Sequence, residues 1–348
     1  MPDSTDNPEK LKQCPPALSV RAKRIAAGFG SMIQRYPKDF AKAVRRVPPG
    51  TTATDFDPAT PAPDLTTAWT NALRPELEHT TGRAVTAVAW LGHNTILARI
   101  CGLTVLGDPV LMERIGVHVG ITTIGPTRLR PLSFGVKDLP PIDLVLISHA
   151  HFDHLDRPTL KQLLRAQGGH IDLVTAQHTA TLIPRGFRSV RELAWEQSLN
   201  VGPLRIEAIR PEHWGARTGY DRHRGYNSYA IRHADDPSRV SPMLFSGDTA
   251  MTHAFDGRGP FEVGVFGIGA YDPWIHVHAS PEQVWSMAAA SGCERILPTH
   301  HSTFKLSDEP AEEPMRRLID AAGGSRATVI EAAVGEVVPL VTPGAVGR

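Results

Sequence analysis

The chain of 348 residues is short of several things. It has three cysteines, Cys14, Cys101 and Cys293. They are far apart and odd in number, which argues against a disulfide framework and fits a reducing cytoplasm. Opposite charges nearly cancel, with 37 Lys+Arg against 36 Asp+Glu, so no global field draws in nucleic acid. No stretch reaches the roughly 18 apolar residues that a membrane span needs. The opening MPDSTDNPEK lacks the basic start and apolar centre of a signal peptide. There is no internal repeat and no P-loop. GVFGIG, residues 264–269, lacks G-x-G-x-x-G spacing, so it reads as a buried strand leading into a loop rather than a dinucleotide turn. Ser246 precedes Gly247 without a nucleophile-elbow pattern. A cytoplasmic protein is the expectation, and nucleic acid is not an expected partner.

What is present is ordinary in amount and uneven in arrangement. Hydrophobic residues make up 41% and charged residues 21%, enough for a sizeable core. Residues 1–83 differ from the rest. Segment 17–46 is basic, with Asp39 its one acid, and residues 47–64 are rich in Pro, Thr and Asp. The pair reads as a short helical segment followed by an extended arm. Its basic face is expected to solvate or pack, with peripheral contact to anionic membrane as the sharper reading. From residue 84 to 348 the pattern is that of one strand-rich domain. Apolar or β-branched runs at 84–92, 94–102, 103–110, 142–148, 171–176, 204–211, 227–233, 242–248, 261–269 and 294–300 predict strands. Helices are predicted at 157–167, with Pro158 in its first turn, and at 280–292, opened by Ser280 and closed by Gly292. Strands repeatedly end in His or Asp, as when a layered α/β scaffold builds one crevice.

The densest such end is ISHAHFDHLD, residues 147–156. After a buried strand it places His149, His151, Asp153 and His154 on one short loop. Imidazole and carboxylate suit Zn²⁺, and also Fe or Mn²⁺. Four donors in six residues exceed what one four-coordinate ion takes from one loop, so they imply two ions with further donors elsewhere. Later strand ends can supply them: His213 in PEHWGAR, Asp248 in FSGDTA, and His300 or His301 in LPTHHSTF. One ion would take His149, His151, His213 and Asp248. The other would take Asp153, His154, Asp248 and His300, with Asp248 bridging. Asp156 falls outside this count and is expected to cap the helix beginning at Arg157.

H-x-H-x-D-H after an apolar strand, then a lone His, then G-D-T, then a late His, resembles the ordered ligand series of the metallo-β-lactamase superfamily. WLGHNTILARICGLTVLGDPVL, VLISHAHFDHLD, FSGDT, GIGAYDP, the His278–Ser280–Pro281–Glu282 element and THHSTFKLSDEP are similar to one branch of it. That branch contains N-acyl-phosphatidylethanolamine phospholipase D and L-ascorbate-6-phosphate lactonase. The resemblance covers about 84–320 and implies a four-layer αββα sandwich, here with an N-terminal extension. It implies two zinc ions, makes His300 the ligand and sets His301 where the family has tryptophan. It makes Asp108 a support for the metal loop. The family's Gly-Ala-Tyr-Glu-Pro-Arg element here ends in Asp272, Pro273 and Trp274, so an arginine is missing where an anionic head group would be held.

The implied chemistry is hydrolysis by a metal-bridging hydroxide without a covalent enzyme intermediate. Asp153 would orient the nucleophile and Asp248 would fix the metal separation. His278, His301, His276, His93 and Tyr271 are candidates for catalytic or supporting roles, with His278 foremost. Tyr226 and Asn227 are candidates for the mouth. The expected enzyme is a zinc-dependent, phospholipase D-like phosphodiesterase with a small-molecule or lipid substrate. A lactonase or other ester or amide hydrolase is the alternative, and a non-catalytic metal-stabilised binding protein comes last. A β-lactamase or nuclease is less favoured. Homo-oligomerisation is left open.

Overall fold

The computed structural model describes residues 65–72, 83–119, 122–218 and 220–340. The basic segment 17–46 and the arm 47–64 lie outside the described residues. In chain order the first elements are α1 (Leu65–Ala72), β1 (Val85–Trp90), β2 (Ile96–Ile100), β3 (Leu103–Gly107), β4 (Val117–Val119) and β5 (Thr122–Ile124). Then come β6 (Leu144–Ile147), α2 (Arg157–Gln167), β7 (Asp172–Ala176), β8 (Ser189–Leu193), β9 (Ser198–Val201), β10 (Leu204–Ile209) and β11 (Ser228–His233). The last are β12 (Ser241–Phe245), β13 (Phe261–Gly267), α3 (Pro281–Ala290), β14 (Ile296–Thr299), α4 (Glu313–Ala322) and β15 (Val337–Pro339).

Two sheets result. One has seven strands in the order β15-β1-β2-β3-β6-β7-β8, and the other has six in the order β14-β13-β12-β11-β10-β9. β2 and β3 are joined by Cys101 and Gly102, both at positive φ (46° and 78°), the geometry of a two-residue hairpin turn. From β3 onward the first sheet turns parallel, because the chain leaves each strand at the same end and returns by a crossover.

Apolar residues of both sheets interdigitate. Trp90, Ile96 and Val105 from one meet Tyr229, Phe245 and Val265 from the other, all buried. Each such side chain contributes on the order of 1.5–3 kcal/mol by leaving water. The outer face of the first sheet is covered by Leu65 and Trp69 of α1 and by Leu160 and Leu163 of α2. The outer face of the second is covered by Val284, Met287 and Ala288 of α3 and by Leu318 of α4. The layers therefore run αββα, as the sequence implied. The helix starts are also as expected. The Asp156 carboxylate accepts from the Thr159 N–H at 3.0 Å and caps α2. Ser280 and Gln283 form a capping box on α3.

The sequence reading missed α1, α4, β8, β9, β15 and the β4–β5 ribbon. Met315, Leu318, Ile319 and Ala322 have helical spacing in α4, and that signal was available. β8 and β9 are short and partly exposed, so their alternation is weak.

Candidate metal centre

The candidate residues converge at one end of the sandwich. Asp108 directly follows β3, β6 runs into the His149–His154 loop, β12 runs into Asp248, and β14 runs into His300. His213 follows β10, and His93 sits in the turn between β1 and β2. Two cross-sheet bonds hold these ends together: the Tyr229 hydroxyl donates to the Ile147 carbonyl at 2.9 Å, and the Asn227 N–H donates to the Ser148 carbonyl at 2.9 Å. Three non-glycine residues here have left-handed backbone, His93 (φ 52°), Asp108 (φ 37°) and His300 (φ 60°). That conformation disfavours L-residues and recurs at functional sites. Gly247, at φ 57°, brings Asp248 close to the metal loop, where an added Cβ would lie 2.7 Å from the Ser148 Cβ.

Two four-residue donor sets form, and a third grouping joins His278 to Asp248 and His300. The first is His149, His151, His213 and Asp248. His149 Nε2 is 2.8 Å and His213 Nε2 is 3.4 Å from His151 Nδ1. Asp248 Oδ2 is 3.8 Å from His149 Nε2 and 3.6 Å from His213 Nε2. The second set is His93, Asp153, His154 and His300. Asp153 Oδ2 lies 3.0 Å from His93 Nε2, 3.7 Å from His154 Nε2 and 3.6 Å from His300 Nε2. Asp248 joins this set too, with Oδ2 3.0 Å from His154 Nε2 and Oδ1 3.3 Å from His300 Nε2. Donors about 2.0–2.1 Å from a tetrahedral ion lie roughly 3.3 Å from each other, so these spacings are those of a coordination shell.

Buried atoms without hydrogen bonds provide a separate test. His154 Nε2, His300 Nε2 and Asp248 Oδ1 are all buried with no hydrogen-bond partner. His154 Nε2 is 3.0 Å from a carboxylate oxygen yet not aligned to bond it. Buried polar atoms rarely stay unpaired, so lone pairs aimed at common points fit resident cations. The charge state agrees. Burial lowers His151 to about 4, and His93, His213 and His278 to about 3, leaving neutral imidazoles. Burial would raise Asp153 and Asp248, but the surrounding imidazoles, His154 first, drive both well below the carboxylate range. Burial also opposes charge on His154 and His300, yet Asp248 and Asp153 outweigh it and raise both, His300 to about 9. When only protons supply positive charge, these two rings carry it.

Around the donors sits a supporting shell. Asp108 Oδ2 lies 2.7 Å from His154 Nδ1, and Asp108 also accepts from Ser148 and Asn94. His213 Nδ1 is 3.0 Å from the Val277 carbonyl. Such partners fix ring orientation and tautomer.

The other candidates fall at varied distances from the cluster. His278 Nδ1 is 3.9 Å from Asp248 Oδ2 and its ring stacks on His300, so it borders both donor sets. His93 is closer than expected, within the second set itself. His301 stacks on Trp90 at 4.5 Å and its Nδ1 meets the Ser302 hydroxyl, so its contacts lead away from the carboxylates. Tyr271 gives its hydroxyl to Glu313 and its ring to Arg317, so it braces α4 and does not reach the donors. His276 is exposed and lies against Trp274. Asn227 is buried and bonds the Leu193 carbonyl, which makes it a tether of the loop and not a rim residue. Tyr226 pairs its backbone with His149.

One residue escaped the sequence reading. Arg217, half-buried over the Phe152 ring at 3.8 Å, donates to the carbonyls of Ala150 (2.8 Å), His151 (3.4 Å) and Leu155 (2.8 Å). It lies four residues after His213 in PEHWGAR, and the sequence alone carries no signal for that clasp.

The sequence pattern of the β-lactamase superfamily domain matches residues 104–301. The chain belongs to the β-lactamase superfamily. An uncharacterised protein of Mycobacterium tuberculosis is 33% identical over 265 residues, covering 70% of this chain and 66% of the relative. The chain thus spans just under two thirds of that relative's length. N-acyl-phosphatidylethanolamine-hydrolyzing phospholipase D 1 of Caenorhabditis elegans is 26% identical over 255 residues, covering 67% of this chain and 69% of the enzyme. Igni18, a metallo hydrolase of Ignicoccus hospitalis, superposes with TM-score 0.54 at 17% identity, covering 74% of this chain and all of that one. CmlA, a diiron β-hydroxylase of Streptomyces venezuelae, superposes with TM-score 0.51 at 19% identity, covering 74% of this chain and 54% of that one. The superpositions establish the fold. The chain carries the fold of this superfamily together with His/Asp clusters that could hold metal ions. Among the described residues no helix is long and apolar enough to cross a membrane.

Proposed function

We propose that this β-lactamase superfamily member is a phosphodiesterase acting on phospholipid-like diesters with two divalent cations, zinc foremost. The observation that carries the reading is the position of the Asp248 carboxylate, which contributes to both donor sets at once. The sequence likeness to the nematode phospholipase D supports the substrate class. His149, His151, His213 and Asp248 would hold one cation, and Asp153, His154, Asp248 and His300 the other. Cations held there would supply a water of lowered pKa and a Lewis acid for the phosphoryl oxygen.

The chain's own groups do the rest. Asp153 is 16% exposed at its side chain, so its carboxylate can accept a bond from an attacking water and orient it. His93, 3.0 Å behind it, holds that carboxylate in place. His278 is 14% exposed and borders the opening, so its ring can present an N–H to the departing oxygen. His154 is held by Asp108 and cannot turn. His301 shapes the wall under His300 through its stack on Trp90.

The test is a panel run with zinc-loaded protein and with Asp248→Asn. Its substrates are a lipid phosphodiester, a soluble aryl phosphodiester, a lactone and a β-lactam. Diester cleavage is expected to lead, with the variant at least about a hundred-fold slower. A chelator should abolish turnover, and Zn²⁺, Mn²⁺ or Fe²⁺ added back singly should identify the working metal. Preferential lactone turnover would replace this reading with the lactonase alternative.

A further inference from the structure

We infer that the groove beside α2 is a docking surface for anionic phospholipid headgroups. The groove measures about 600 Å³, and its lining includes Arg157, Lys161, Arg165 and Arg185. Arg157, Lys161 and Arg165 recur every four residues, so they form one stripe along the helix. Leu160 and Leu163 are buried on its other side, which turns the stripe outward. All four cations are exposed. None has a carboxylate or hydrogen-bond partner among the described residues, although neighbouring arginines do. Arg188 pairs with Asp172, and Arg224 pairs with Asp221. Like charges four apart on a helix repel, so this stripe lacks an internal counter-charge and fits an external anion.

The groove runs along α2 from Arg157, and so begins beside the loop that carries the metal donors. α2 begins three residues after His154. Thr181, on the groove wall, accepts from Arg224 at 3.2 Å. The segment just before Arg224 carries Tyr220, 68% exposed, the most exposed large apolar side chain among the described residues. Beyond the donors, the loop that gives the Val277 carbonyl to His213 carries Ile275, 46% exposed. Free phosphate would need only the cations. Cations together with exposed apolar tips suit a lipid surface, with phosphates on the guanidinium and ammonium groups and the tips at the acyl boundary. The purpose of such docking rests on the phospholipid reading of the site, whereas its binding can be measured independently.

The full metal-loaded chain is sedimented with phosphatidylcholine vesicles and with vesicles that also contain phosphatidylglycerol. The variant Lys161→Glu/Arg165→Glu/Arg185→Glu is run beside it. Wild type should partition onto the anionic vesicles only, and the variant roughly a hundred-fold less. Turnover of a soluble aryl diester should be the same for both, which also shows that the variant is folded. A variant that partitions like wild type would overturn the inference, since the binding would then reside elsewhere. Wild type that binds tripolyphosphate in solution but no vesicle would overturn it in favour of a free-anion site. Wild type that binds anionic vesicles and cleaves no diester would uphold the docking surface and refute the substrate reading.

Discussion

His154 Nδ1 lies 2.7 Å from Asp108 Oδ2, with both side chains fully buried. The same carboxylate accepts from the Ser148 N–H at 2.7 Å and the Ser148 hydroxyl at 2.6 Å. The Asn94 amide donates to it at 2.8 Å. Asp108 therefore sets both the tautomer of a proposed ligand and the path of the loop that carries three more. Asp108→Asn should keep the shape and lose the acceptor facing His154. Metal affinity, measured by chelator competition, is expected to fall roughly 10–100-fold. Unchanged affinity would show that the contact only packs.

Arg217 should act on the same loop from its other side. Arg217→Met takes this donor from the buried Ala150 and Leu155 carbonyls, at about 2–4 kcal/mol of stability, while the His151 carbonyl keeps the N–H groups of His154 and Leu155. Arg217→Lys keeps a charge without the fork and should fall between the two. Melting of metal-free protein reads the structural part, and zinc competition reads the loop. A fall in melting temperature with intact zinc affinity would mean that the clasp does not position the ligands.

His278 touches both donor sets without being needed in either. Its replacement by Ala should leave metal content unchanged while lowering kcat about a hundred-fold. The loss should be larger for an alkyl diester than for a nitrophenyl diester, whose leaving oxygen needs less help. Loss of metal along with activity would make His278 a ligand, since it also groups with Asp248 and His300.

A pH test is available away from the metal centre. Arg317 forks onto Glu282 at 2.8 and 2.7 Å and tethers α4 to α3. These bonds hold the Glu282 carboxyl down at about 2, against 4.5 for an ordinary glutamate. The unfolded chain then binds the proton more tightly than the folded one. The stabilisation is complete above about pH 4.5 and is lost as pH falls towards 2. The pair is largely exposed, so solvent screening limits it to about 1 kcal/mol or less. Glu282→Gln should lower stability near neutrality and narrow the gap to wild type as pH falls through that window. A gap that does not change with pH would mean that the ion pair contributes nothing.

Local chemistry was legible without coordinates. Asp156 caps α2 because capping depends on neighbours three residues apart, and most buried strands show in their apolar runs, whereas the αββα layering was implied by the family resemblance. The first donor set was legible too, since a strand ending in H-x-H fixes two rings on one loop. His93 was legible only as a candidate. Its Nε2 meets an Asp153 oxygen 60 residues away, and no local pattern encodes that approach. Asp108 was named as a support through the family resemblance alone and Arg217 was missed, because their partners lie on loops distant in sequence.

The sequence by itself determined the donor types, their order and the surplus of donors in one loop over what one ion takes, because those depend on residue chemistry and on spacing within that loop. The tertiary structure decided which of two adjacent histidines enters the site. His300 and Ser302 take left-handed backbone, at φ 60° and 50°, while the His300 N–H holds the His93 carbonyl at 2.8 Å. That turn aims His300 at Asp248 and lays His301 against Trp90. Backbone direction at a strand end is set by packing against another strand, and residue type alone does not encode it.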